Sequence, residues 1–528
     1  MPYTLSPFAP AGLTEALLKL LVEEHRTRAL PAMRRLWRYY RNPAESLVAA
    51  GGGAGGRRDA CPTGVRPRLA QESGLPSRIT GEGDPWRDDR AWKREAVVEN
   101  DIGWRVQLMV DFMFGKPVQI ASTAPDERRR REIEAVLDAV WERSGGIALL
   151  QDMALLGHVY GHVDLVLRVE QGAGSQGGRG LTAPSPASPS SAAPFAAADA
   201  VRVEVVEPTR GIPVLDPGDY RTISAYIITF ERELNEVERG RAAVGRAIAS
   251  LWRTASDPGP RRRRSCFTEV LSATHRQVYE DERLIGEEEL TWNTGDSAAG
   301  GTPAPQVPVV HIQNVSQPFR YGGLGEVEPL IPLQDELNTR LSDRAARVTL
   351  QSFKMYLAKG LDGFDRMPVG PGQVWRTDNP DASVEAFGGD MESPSETAHI
   401  QEVREAMDKT SGVPPLASGV VRAKIGNLTS ANALRITLMG VLSRTARKRV
   451  TYGRGIAEMS RLILGALDAT GVFATTPEER GVRLIWPDPL PEDVREQAAA
   501  AAVKSTLGVP RERVLAELGY SPADPGVT

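Results

Sequence analysis

Residues 326–353 read EVEPLIPLQDELNTRLSDRAARVTLQSF, and residues 429–467 read TSANALRITLMGVLSRTARKRVTYGRGIAEMSRLILGAL. Both have the periodicity of long amphipathic helices. In the first, Leu330, Leu333, Leu337, Leu341, Ala345 and Val348 form one apolar stripe, and Arg340, Arg344 and Arg347 form a basic stripe beside it. Asp335, Glu336 and Asp343 share the helix, so the arginines can pair with a neighbouring copy, line a pore or stay solvated. The inter-subunit reading carries most weight, because the apolar stripe alongside must also be covered. A lone helix is only marginally stable in water, so helices this long need a partner surface. Between them, Ser395–Lys409 reads as a shorter helix with Ile400, Val403 and Met407 on one face. Residues 354–392 alternate short apolar pieces with Gly and Asp turns, as a small β-containing module does. Residues 411–428, SGVPPLASGVVRAKIGNL, read as a mobile loop, with Thr429 or Ser430 available to cap the helix that follows.

Outward from this region, Thr14–Arg41 is expected to be helical with an interruption at Pro31. Residues 50–90, rich in Gly, Pro and Arg, read as an irregular arm. A helix over Glu99–Phe114 is expected to be capped by Gly115 and followed by a strand at Val118–Ile120 and a helix at Pro125–Arg143. Residues 147–170 read as a helix turning into a strand near Gly161. Residues 172–200 are Ser/Pro/Ala/Gly-rich and almost uncharged, which predicts a disordered insert. Strands follow at Val201–Val206, at Ser224–Phe230 and between Thr268 and Thr291, with a basic loop at Arg261–Arg264. VPVVHIQN, residues 307–314, reads as a buried strand. Near the end Pro491 opens a helix that Gly508 closes, and Pro510 opens another. The fold class is α+β.

At 528 residues the chain is long enough for more than one hydrophobic core. A net charge of −4 excludes a polycation that coats nucleic acid. The two cysteines, Cys61 and Cys266, offer neither a disulfide framework nor a CxxC zinc pair, as expected of a reducing compartment. No apolar run reaches the ~18 residues of a membrane helix, and the opening MPYTLSPFAPAGLTEALLKLL has no basic region ahead of an apolar core, so neither a membrane partner nor a secretory signal is expected.

Catalytic motifs are scarce. GxGxxG occurs at Gly51–Gly53–Gly56 and Gly172–Gly174–Gly177, but in low-complexity sequence with no strand before it, so both read as flexible loop. GxxxxGK[ST], HExxH and GxSxG are absent. His158 and His162, with Asp164 nearby, have the spacing of a metal pair on a helix, but Gly157 and Gly161 weaken that helix and no further ligand is spaced to complete a site. They are expected to be satisfied or exposed histidines. The run Arg128–Arg131 is bracketed by acids and reads as a solvated helix face. No catalytic residue, cofactor or metal is expected.

The order of these segments resembles the portal proteins of tailed bacteriophages. The residues that carry the resemblance are VPVVHIQN, then GGLGEVEPLIPLQDELNTRLSDRAARV from Gly322, EVREAMDKTSGVPPLASG from Glu402 and NLTSANALRITLMGVLSRTARKR from Asn427. NDIGWRVQLMVDFMFGKPVQI at 100–120 and LIWPDPLPEDVREQAAAAAVKSTLGVPRERVLAELG at 484–519 extend it. The resemblance implies a portal-type fold: a mixed α/β wing over 1–324, a first stem helix at 325–353, a clip at 354–392 and a second stem helix at 393–411. It then implies a tunnel loop at 412–428, a long helix with the rest of the wing at 429–490, and a helical crown at 491–528. It further implies a dodecameric ring of this chain at one capsid vertex, with double-stranded DNA passing through the centre without sequence specificity. The implied partners are the large terminase subunit, a head–tail adaptor, and the major capsid and scaffolding proteins. The implied location is the virion, after assembly in the bacterial host cytoplasm. Val420, Val421, Arg422 and Lys424 would then face the channel, and Leu337, Arg340, Leu341, Arg344, Arg347 and Val348 would meet the neighbouring stem. Two arginine or lysine residues among small apolar ones make a loose collar, since every phosphate-bound cation strengthens the grip on DNA. The competing readings are a phage DNA-processing enzyme, which requires a carboxylate cluster binding Mg²⁺, and another head–tail connector or minor capsid protein.

Overall fold

The structure, a computed structural model, describes residues 3–45, 68–80, 96–170, 189–234, 263–293, 305–352, 355–359, 379–387, 394–414, 435–490, 494–510 and 514. Its main helices are α1 (Glu15–Glu24), α2 (Leu30–Arg41), α3 (Asp101–Phe114), α4 (Glu127–Arg143), α5 (Gly146–Tyr160), α6 (Pro189–Ala200), α7 (Ile331–Ser352), α8 (Pro394–Ser411), α9 (Met439–Ala469) and α10 (Val494–Thr506). Its main strands are β1 (Gln119–Ser122), β2 (His162–Val169), β3 (Val201–Val206), β4 (Gly211–Asp216), β5 (Asp219–Leu234), β6 (Arg263–Leu271), β7 (His275–Glu280), β8 (Arg283–Glu289), β9 (Val309–Gln313), β10 (Met355–Lys359), β11 (Ser383–Phe387) and β12 (Val482–Ile485). The chain divides into two units, the first made of Met1–Arg34, Gln107–Gly325 and Pro414–Thr528, the second of Arg35–Val106 and Glu326–Val413.

The first unit holds an antiparallel five-stranded sheet in the order β8-β7-β6-β5-β4 and an antiparallel three-stranded sheet in the order β9-β2-β3. Successive strand residues face opposite sides, and β5 uses both. Ala225 and Ile227 join a cluster with Phe8, Leu13 and Leu18 from the N-terminal segment, while Tyr226 and Ile228 pack with Val166, Val206, Leu271 and Val309. The largest core is built on the three-stranded sheet. Val163, Leu165, Val203 and Ile312 meet Ile133, Leu137 and Val140 of α4 and Tyr452, Ile456, Met459 and Ile463 of α9. The second short sheet of this unit pairs β12 with β1.

A glycine-lined close approach joins α5 to the turn after β9. Gly161 ends α5 with φ +90°, a left-handed conformation that favours glycine. A Cβ there would lie 2.4 Å from the Gly323 carbonyl oxygen. The same turn is pinned by a buried cluster on Asp164. The Tyr226 hydroxyl donates to its carboxylate at 2.6 Å, the Tyr321 hydroxyl at 2.7 Å, and His311 Nδ1 lies at 2.7 Å. Burial opposes the charge on Asp164, but His311, His162 and the Tyr226 hydroxyl together hold the carboxyl below its usual range. Beside it, burial pulls His162 down to about 4. His158 is fully buried, its Nδ1 at 2.6 Å from the Ala154 carbonyl, and burial with the nearby Lys448 keeps it neutral.

The second unit pairs α7 with α8 and joins β10 to β11 in an antiparallel hairpin-like pair, so the expected β-containing module is present within 354–392. Arg105, 2% exposed, ties three segments together. It donates to Asp101 at 2.8 Å, to Asp408 at 2.7 Å, to Ser411 Oγ at 2.8 Å and to the Val413 carbonyl at 2.9 Å.

Several expectations need correction. The helix expected over Thr14–Arg41 is continuous from Glu15, and the interruption expected at Pro31 takes the form of a π-helical stretch, His25–Ala29, just ahead of Pro31 in the first turn of α2. Gly115 continues the hydrogen bonding of α3 to the Asp111 carbonyl and has no left-handed φ. The insert expected to be disordered over 172–200 contains α6, whose alanines favour helix and whose Ala197 is fully buried in the large core; residues 171–188 lie outside the described residues. Gly211–Asp216 is an unexpected strand, and Pro213 is tolerated because β4 is a sheet edge. Arg263 and Arg264 belong to β6 and not to a loop. The long helix is described from Met439, after a helical turn at 435–437, and Thr429 and Ser430 lie outside the described residues. Both GxGxxG stretches and Cys61 also lie outside them. No described helix is long and apolar enough to cross a membrane.

Three outcomes follow from this packing. Ala197→Asp places an uncompensated charge in the core and is expected to cost several kcal/mol, roughly, read by chemical denaturation. Arg105→Ala leaves the half-buried Asp101 and Asp408 carboxylates and the buried Ser411 hydroxyl without their partner and is expected to cost about 3 kcal/mol in the second unit, by the same measurement. His162 titrates near 4 when folded and near ~6.5 when unfolded. The unfolded chain therefore binds more protons between those values, and stability is full above pH ~6.5 and falls by up to about 3 kcal/mol as pH drops towards 4. His158 adds in the same direction. A melting temperature unchanged between pH 7 and 4.5 overturns this.

Candidate functional site

The residues expected to mediate assembly lie on α7, which turns out to carry a polar ladder as well as an apolar stripe. Gln334, Asn338 and Ser342, spaced four apart, are all buried. They serve the backbone of residues 97–102, most of which has no strand partner. Ser342 Oγ accepts from Val97 N at 2.9 Å, Asn338 Oδ1 from Glu99 N at 3.0 Å, and Gln334 Oε1 from Ile102 N at 3.1 Å. Gln334 Nε2 donates back to the Glu99 carbonyl, and Asn338 Nδ2 donates to Gln71 Oε1 at 3.1 Å. Gln71 in turn donates to the Tyr39 carbonyl at 2.7 Å and to Asn100 Oδ1 at 2.8 Å. The regular spacing of these three polar residues was visible in the sequence, but the segment they serve lies more than two hundred positions away.

The apolar stripe is graded in its burial along the helix. Leu330 and Leu337 are fully buried, so Leu337 has no surface left for a neighbouring copy. Leu333, Leu341 and Ala345 are half-buried, and Val348 is 53% exposed. Among the arginines, Arg340 donates to Glu336 at 2.7 Å and Arg347 pairs with Glu396 of α8, while Arg344 is exposed. Further pairs join Arg404 to Glu99 at 2.6 Å, Arg78 to Asp343, and His399 to Glu336 at 3.0 Å. Burial works against Glu336, yet hydrogen bonds from His399 and Arg340 hold its carboxyl below the usual range. Across the helix, burial and the hydrogen bond to Asp335 push the Tyr39 hydroxyl up to about 12. Ion pairs this exposed contribute little each, so packing and the buried ladder carry the stability of α7.

Val420, Val421, Arg422 and Lys424 lie outside the described residues, which stop at Pro414 and resume at Arg435. The chain is anchored where each edge begins. Val413 is held by Arg105, and Arg435 donates to Asp488 at 2.7 Å. His158 and His162 fall on different elements, the end of α5 and the start of β2. Among the described residues no group of three or more His, Cys, Asp or Glu side chains is arranged to hold a metal. The run Arg128–Arg131 is a salt-bridged helix face, paired with Glu127, Glu132 and Glu479.

Two solved structures are similar at a distance. A chain of "Neck of empty GTA particle computed with C6 symmetry" is 15% identical with a TM-score of 0.43, covering 80% of this chain and 91% of that one. A chain of "Virion of native gene transfer agent (GTA) particle" is 14% identical with a TM-score of 0.39, covering 80% and 89%. None of the curated protein sequences compared with this chain is significantly similar to it. The family model described as "Phage portal protein, SPP1 Gp6-like" matches residues 21–519, which takes in both units and every helix and strand discussed above except the start of α1. With that match over nearly its whole length, this chain belongs to the phage portal protein family, SPP1 Gp6-like.

Proposed function

We propose that copies of this chain close into a dodecameric ring at one capsid vertex and that double-stranded DNA passes through its centre during packaging and ejection. The carrying observation is the family match over residues 21–519. In this reading residues 1–324 with part of 429–490 are the wing, α7 and α8 are the stem, the β10–β11 module is the clip, and 491–528 is the crown. Residues 412–428 are the tunnel loop, with Val420, Val421, Arg422 and Lys424 towards the DNA. The clip is the docking face for the large terminase subunit and then for a head–tail adaptor, while the major capsid and scaffolding proteins meet the wing. The protein's place is the virion, after assembly in the host cytoplasm.

The chemistry supports this reading. A net charge of −4 and a loop with two cations suit a channel that lets a duplex slide, since a strongly basic lining holds phosphate. Closure of a ring by head-to-tail contacts needs two different complementary surfaces on each subunit. On α7 the members with surface to offer are Arg344 and Val348, with Arg340, Leu341 and Arg347 partly available. The family is structural, and in this reading the chain carries no catalysis of its own.

The test is direct. Purified protein imaged in negative stain is expected to show rings with an axial hole, and a species that stays monomeric at high concentration and low salt overturns the reading. Metal-dependent cleavage of plasmid by the pure protein, abolished by one carboxylate substitution, would favour a DNA-processing enzyme instead.

A further inference from the structure

The start of α9 differs from the rest of the helix. From Tyr452 onward much of it is core, but Met439, Ser443, Ala446 and Val450 are exposed, at steps of four, three and four residues. Ile436, on the helical turn before, extends the line by a step of three. The large members are well exposed: Ile436 71%, Met439 65% and Val450 61%. Alternating steps of three and four mark the seam of a helix that packs lengthwise on another helix. Arg447 and Arg454, also exposed, flank this seam.

Helix α8 carries the matching pattern. Its Ile400, Val403 and Met407 are buried. Its other side presents Ser395, Ala398, Glu402, Glu405 and Lys409, all exposed, at steps of three, four, three and four. The side chain of Glu402 is 74% exposed. One face is therefore apolar with basic flanks, and the other is small-residued with an acidic centre. Their lengths agree at 1.5 Å per residue, about 17 Å from Met439 to Val450 and about 21 Å from Ser395 to Lys409.

We propose that the Met439–Val450 face of one copy docks on the Ala398–Glu405 face of α8 in a second copy. The contact is heterologous, one face on each side, so it leaves both unused faces free to continue the assembly. With the two helices parallel, Met439 and Ser443 seat beside the small Ser395 and Ala398 of the neighbour, and Arg447 and Arg454, on either side of Val450, meet Glu402 and Glu405. Nucleic acid is a poorer occupant, because an apolar row offers phosphate nothing and the complementary helix is acidic. The inference rests on the ring reading above and names the surfaces that would close it.

The experiment uses the full chain and reads assembly by sedimentation and negative stain, with circular dichroism to confirm that each variant is folded. All substituted positions are exposed, so folding is expected to be unaffected. Arg447→Glu with Arg454→Glu is expected to raise the concentration needed for assembly at least about tenfold, and Glu402→Arg with Glu405→Arg to do the same. Combining all four restores opposite charges across the contact and is expected to bring assembly back to within roughly threefold of wild type. Met439→Glu with Val450→Glu is expected to abolish rings. A four-fold variant that assembles no better than either pair, or rings from Met439→Glu/Val450→Glu equal to wild type, overturns the proposal and leaves the ring reading intact. Wild-type protein that never exceeds a monomer overturns both. Arginine variants that keep their rings but lose DNA retention assign the face to nucleic acid and overturn the proposal.

Discussion

A backbone N–H group buried away from water must find an acceptor, and the second unit is organised round that requirement. Residues 97–100 belong to no helix or strand. Gln334, Asn338 and Ser342 of α7 stand in for the missing strand, reading out successive groups of the segment from a helix. Each such bond contributes only about 1 kcal/mol net, but an unanswered group costs about 1–3. The ladder therefore fixes the register of α7 against the 97–102 segment, because a slip by one helical turn would strand three donors together.

The first unit solves a different problem, how to bury charge. Asp164 lies near the start of β2 with almost no exposure and is answered by two tyrosine hydroxyls and a histidine. Those partners come from β5, from β9 and from the turn that follows β9. One carboxylate thus ties the strand at the core to the glycine-lined turn that presses on Gly161. A half-satisfied network in this position would be worse than an apolar core, which explains why so many donors converge on a single side chain.

Much of this was legible in the sequence, for identifiable reasons. The helix-to-strand change at Gly161, the buried strand at 309–313, the helix closed by Gly508 and the apolar stripe of α7 all rest on local rules of periodicity and capping. The family resemblance, read from the order of those segments, agrees with the match over residues 21–519. The misses share another cause. Helix α6 hides in a stretch whose composition resembles disordered sequence, and becomes helix because Ala197 finds the large core. The β4 strand is disguised by Gly211 and Pro213, acceptable only because it lies at an edge. Leu337 lies on the stripe that points to an interface, and it is fully buried within the chain. The partners of Gln334, Asn338 and Arg105 sit hundreds of residues away in sequence, beyond any local rule.

Arg105 gives the clamp at Val413 a mechanical meaning. It grips a carbonyl, a hydroxyl and a carboxylate on the last turn of α8 and just beyond it, while its own helix supplies Asp101 as a second anchor. A tug on the polypeptide past Pro414 is consequently shared among several charge-assisted bonds. Without that arginine the same load would unzip α8 from its end, one turn after another.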